Sequence, residues 1–141
     1  MPGKPPFYPQ EHDYSCVPAC LRMVLAYNGI YKSEDDLIYA CNSWPDGTKV
    51  SDLVEAAKDL GFERTSRERP TLEELRESLN QGLFPIVYIA TPTVHSVVVV
   101  AIEDFVEVLD PAHPSGQYKI ALETFLEQWG AERHLAVILQ R

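Results

Sequence analysis

The spacing of apolar residues changes character once along this chain, close to Phe84, and no other feature limits the fold as much. Before that point apolar side chains recur at helical spacing. Beyond it they gather into short blocks of Val, Ile and Leu, as strands do. The spacing predicts helices over residues 18–27, 33–40, 50–60 and 72–80, with a fifth over 122–129. Local chemistry marks their ends. Pro18 suits a first turn and Asn28-Gly29 a stop. Ser33 and Asp36 stand in capping-box positions, as do Thr71 and Glu74, while Gly61 and Gly82 close the third and fourth helices. Strands are predicted over 86–90, 96–102, 105–109 and 135–139. Helices first and strands later imply an α+β fold with a mainly antiparallel sheet.

A length of 141 residues fits one domain, spanning residues 1–141, in which Pro2 to Pro9 form an extended lead-in. With 45% apolar and 23% charged residues the composition is that of a globular protein. The longest apolar run, residues 97–102, is far too short to span a bilayer. The opening Met-Pro-Gly-Lys-Pro-Pro lacks the apolar region of a secretory signal. A net charge of −9 disfavours nucleic acid and anionic membranes as partners. Cys16, Cys20 and Cys41 are too few, and odd in number, for a disulfide framework, so reduced thiols in the cytoplasm are expected.

Cys16 stands just before the first predicted helix. Unsatisfied N–H groups and the partial positive charge of a helix N-terminus stabilise a thiolate, and the thiolate is the nucleophile. Cys20 lies one turn further, beside the apolar stripe, and reads as packing, as does Cys41. Cys16 and Cys20 have neither a CxxC motif nor a nearby His to complete a zinc set, so no metal or cofactor is expected.

A cysteine nucleophile needs a base. His12 lies in the polar lead-in, His113 in a loop between two prolines, and His134 at the start of the last strand beside charged neighbours. His95 instead enters the most apolar strand, Val-His-Ser-Val-Val-Val-Val-Ala-Ile, which would hold an imidazole rigid and partly dry. Alternation places His95, Val97, Val99 and Ala101 on one face, and Ser96, Val98, Val100 and Ile102 on the other. With Glu103-Asp104 as the turn, Ile102 faces Phe105 and Val97 faces Asp110, so Asp110 becomes the diagonal neighbour of His95 on the same face. A three-residue loop would break that parity. Asp110 can then orient the imidazole. Gln10, in the lead-in, offers a side-chain amide that could join the Cys16 N–H in binding an oxyanion.

The segment from Gln10 through Cys16-Val-Pro-Ala-Cys-Leu-Arg-Met-Val-Leu-Ala-Tyr-Asn to Gly29 resembles the opening of the C39 family of cysteine peptidases, which cleave leader peptides from bacteriocin precursors. His95-Ser-Val-Val-Val-Val resembles the family's histidine strand, and Asp110-Pro111 its aspartate. The resemblance covers about residues 8–140. It implies a papain-like fold with helices packed on the sheet, and assigns Cys16 as nucleophile, His95 as general base and then acid, Asp110 as orienter and Gln10 to the oxyanion hole. Val17 stands where the family usually has Gly; a backbone N–H survives that change, and the added side chain is expected to narrow the cleft. The expected function is a stand-alone thiol hydrolase cutting a peptide or protein substrate through a thioester. The alternatives are a C39-like module that binds peptide without cutting it, and a thiol-dependent acyl transferase or deamidase.

Overall fold

A computed structural model describes residues 3–141; Pro2, the start of the expected lead-in, lies outside the described residues. The elements are α1 (Cys16–Tyr27), α2 (Glu34–Ala40), α3 (Val50–Asp59), β1 (Ser66–Glu68), α4 (Leu72–Asn80), β2 (Ile86–Ala90), β3 (Val94–Ile102), β4 (Phe105–Leu109), β5 (Gln117–Ala121), α5 (Leu122–Gly130) and β6 (Ala136–Ile138). The expected α+β class is the one observed. All five predicted helices form, and the capping box of α4 is complete: Thr71 Oγ1 accepts from the Glu74 N–H while the Glu74 carboxylate accepts from the Thr71 N–H. Two strands escaped the sequence pattern. β1 has only three residues, and β5 carries polar Gln117 and Lys119 among its five.

The sheet has six strands in the order β1-β6-β2-β3-β4-β5, and every neighbouring pair is antiparallel. Its two faces bury separate clusters. Ile86, Tyr88, Val98, Leu109 and Val137 meet Leu21, Leu25, Leu37 and Leu53 from α1, α2 and α3. Val87, Ile89, Val97, Val99, Val106 and Val108 meet Leu75, Phe125 and Trp129 from α4 and α5. Both faces of the central strands are therefore apolar, which explains why β3 reads as a continuous Val run.

The β3–β4 hairpin departs from the expected register and then returns to it. Ile102 pairs with Val106, not Phe105, so three residues form the turn; a register shift between Val99 and Ala101 then brings Val99 opposite Val108 and Val98 opposite Leu109. The extra residue of a bulge restores the parity that the longer turn removes. Val100 keeps the face of Val98, but beyond the bulge the alternation is reversed and Ile102 joins the cluster of Val97 and Val99. Continued past Leu109, the register sets Val97 opposite Asp110.

Candidate active site

Helix α1 begins at Cys16 itself, two residues earlier than its predicted start. Ser15 is the N-cap residue, yet its side chain makes no capping bond. Its hydroxyl accepts from the His12 N–H and lies 3.0 Å from both the His12 carbonyl and Glu34 Oε2. Pro18 supplies no N–H, so the helix mouth presents the N–H groups of Cys16 and Val17 without a side-chain acceptor. Val17 is 4% exposed and sits in the core beside Cys20 and Leu21. It does not line the cleft, so the expected narrowing does not occur.

Strand β3 docks on α1 one turn below Cys16. Cys20 Sγ is 3.5 Å from Ser96 Oγ, and both residues are fully buried. Because Cys20 follows Cys16 by one turn and Ser96 follows His95 directly, this contact brings the thiol end of the helix to the histidine end of the strand. At the far side, the Gln10 N–H donates to the Pro111 carbonyl at 3.0 Å, tying the lead-in to the segment after Asp110. Cys16, His95, Asp110 and Gln10 consequently line one cleft of about 380 Å³, together with Asp13, Thr91, Thr93, Val94 and the segment 112–114.

His95 Nε2 is 3.1 Å from Asp110 Oδ2. With the proton on Nε2, Nδ1 is an acceptor, and it lies 3.2 Å from the Thr91 hydroxyl. Asp110 is 4% exposed and accepts two further bonds, from the Ala112 N–H to Oδ1 at 3.0 Å and from the Tyr118 hydroxyl to Oδ2 at 2.6 Å. Burial by itself would raise its pKa; the bonds from His95, Tyr118 and Ala112 outweigh burial and hold the carboxyl below the usual aspartate value. Burial, followed by the bond to Asp110, raises the Tyr118 pKa well above the ordinary tyrosine value. The amide nitrogen of Gln10 points at the carbonyls of His12 and Asp13, at 2.9 and 3.3 Å, while its Oε1 is buried without a partner.

The remaining histidines lie elsewhere or play other parts. His12 is exposed and stacks on Tyr14; His134 is half-buried against Trp129, with ring centroids 4.1 Å apart, rather than at the surface; His113 reaches the cleft from its loop and rests on Tyr118. Cys41 is buried, as expected. Three participants were missed from sequence. Tyr118 was hidden because β5 was not recognised. Thr91, four residues before His95 at the β2–β3 turn, carries no pattern of its own. Glu34, buried in the first turn of α2, accepts from the Glu11 N–H at 2.9 Å and from Ser15, and so braces the loop that leads into Cys16; in the sequence it looks like an ordinary helix-opening acid. Burial raises its pKa, the two bonds opposing that shift only in part.

The Peptidase C39 family model matches residues 4–137, and the chain belongs to that family. Similar solved structures carry the same fold. The peptidase domain of Streptococcus ComA, a bifunctional ABC transporter involved in quorum sensing, is 24% identical with a TM-score of 0.77, covering 95% of this chain and 97% of that one. A double-glycine-motif protease from an AMS/PCAT transporter, solved with its leader peptide, is 22% identical with a TM-score of 0.77, covering 98% and 93%. A protein of Bacillus anthracis described as a C39-like peptidase is 18% identical with a TM-score of 0.80, covering 96% and 94%. No curated protein sequence matches the chain.

Proposed function

We propose that this protein is a cysteine peptidase that hydrolyses a peptide bond through Cys16, His95 and Asp110, with a thioester intermediate. The observation that carries the reading is the convergence of these side chains and Gln10 on one cleft, with His95 bonded to Asp110 through Nε2. With Nε2 committed to Asp110, Nδ1 is the nitrogen left to act as base, once it exchanges the Thr91 hydroxyl for Sγ. Nδ1 takes the proton from Cys16, and the thiolate attacks the carbonyl carbon. Charge develops on the carbonyl oxygen, where the N–H at the head of α1 can donate. Gln10 becomes the second donor if one amide N–H gives up its loop carbonyl, the 3.3 Å contact to Asp13 being the weaker. The imidazolium then protonates the leaving amine. Water, deprotonated by Nδ1, attacks the thioester, releases the acid and restores the thiol. Asp110 fixes the tautomer and the ring plane throughout.

The substrate is a peptide or protein, and processing of a leader peptide is the favoured case, since a similar protease was solved with one bound. Reduced thiols support a cytoplasmic setting; all three cysteines are unpaired. The decisive experiment is cleavage of an unbiased peptide library by wild type and by Cys16→Ala. Wild type should yield fragments summing to substrate plus one water, Cys16→Ala and His95→Ala none, and Asp110→Asn should lose about 10²–10⁴ in kcat. Peptide retained but uncut by wild type would favour a binding module, and product transferred to an added amine would favour an acyl transferase.

A further inference from the structure

The Asp110 carboxylate is pinned from three sides: Ala112 fixes Oδ1, while His95 and Tyr118 share Oδ2. Tyr118 lies opposite Val108 in the β4–β5 ladder, so it shares a face with Asp110 two residues along, the same diagonal relation that joins Asp110 to His95 across β3. The phenol ring is held on its other side by the His113 ring, with centroids 4.6 Å apart. We propose that Tyr118 is a positioning residue: its hydroxyl fixes Oδ2 of Asp110 toward His95 and keeps the carboxylate from turning or binding a proton. This rests on the reaction assigned above.

The two donors to Oδ2 differ in constancy. His95 changes its proton inventory at each half-reaction, so its bond to Oδ2 strengthens and weakens through the cycle. The Tyr118 bond does not. At 2.6 Å from a carboxylate it is a short charge-assisted hydrogen bond, and burial together with the adjacent carboxylate raises the phenol's pKa, which favours the protonated, donating form. Without it, Oδ2 would depend on the imidazole alone. The other titratable groups around this carboxylate are Cys16 and Cys20 on α1, His95 on β3, Asp13 in the lead-in and His113 in the loop.

The test is Tyr118→Phe, which keeps the ring against His113 and removes only the hydroxyl. Carbon NMR of the Asp110 carboxyl should show its titration midpoint moving up from the wild-type position. On a cleaved peptide kcat should fall roughly tenfold, the effect of one hydrogen bond to a charged group, with KM changed less than about twofold. In an Asp110→Asn background the same substitution should add nothing. A folded Tyr118→Phe with an unmoved midpoint and unchanged kcat would overturn the proposal. If the variant does not fold, the Tyr118 hydroxyl proton of the wild type decides: it should resonate far downfield and shift in Asp110→Asn, and indifference to that substitution would overturn it equally. Should wild type cut no peptide, the peptidase reading fails, while the Asp110 midpoint still settles the role of Tyr118.

Discussion

Cys16, Cys20 and Cys41 share one chain but meet three environments. Cys16 is half-buried at the head of α1, whereas Cys20 and Cys41 are sealed in the core at 0% exposure. Burial drives the Cys20 thiol far above its ordinary value, with the neighbouring Cys16 adding to the rise, and pushes Cys41 up to about 12. At pH 7 a thiol titrating near 12 is ionised in only about one molecule in 10⁵, and the thiolate is the reactive form. Iodoacetamide at neutral pH should therefore label Cys16 alone in the folded protein, with mass spectrometry of the digest finding Cys20 and Cys41 unmodified until denaturant is added. Comparable early labelling of Cys20 would contradict the burial on which the separation rests.

The β3–β4 hairpin shows what strand patterning can and cannot deliver. Parity relates His95 to Asp110 because the side-chain period of a strand is two; the expected two-residue turn is overturned, and the relation holds only because the bulge offsets the third turn residue, whereas the strand that carries His95 was legible in the Val run. The length of the turn was not, nor was the bulge that corrects it: both are backbone adjustments that leave no mark in which residues are apolar. β5 stayed hidden for a different reason, its exposed face being polar, and Tyr118 was lost with it. Helix ends with caps were legible to within two residues, since cap chemistry is local. The loop closing the site depends on one glycine. Gly116 has φ +77°, accepts the Asp110 N–H at 2.7 Å, and packs so tightly that an added Cβ would lie 2.7 Å from the Phe7 ring. Gly116→Ala should lower the unfolding free energy by about 1–2 kcal/mol, the cost of a left-handed conformation for an L side chain. It should also depress kcat, because the Asp110 backbone is anchored to this residue. Urea denaturation paired with peptide cleavage would check both, and an unchanged midpoint would show that the loop tolerates the side chain.

At the scale of the whole molecule the sheet is a shared wall. α1 to α3 cover one face and α4 with α5 the other, and the site sits at one end of the inner strands, where the head of α1, the start of β3 and the end of β4 converge. Adjacent residues of a single strand, such as Val97 and Val98, belong to opposite clusters. Neither cluster can loosen without disturbing strands that also serve its neighbour, so we propose that the chain unfolds as one cooperative unit. The two tryptophans make this measurable: Trp129 is fully buried on the α5 side, while Trp44 is 68% exposed, so the fluorescence change on unfolding reports the α5 side. Leu25→Ala truncates a fully buried side chain of α1 on the opposite face. It should cost about 2–5 kcal/mol through lost burial and the cavity left behind. If the sheet couples the two cores, the Trp129 fluorescence transition in urea should move by as much as the circular dichroism transition. A fluorescence midpoint that stays at its wild-type position while the dichroism midpoint falls would mean that the cores melt separately, and the geometry of the cleft between α1 and β3 would then be set by the α1–α3 side alone.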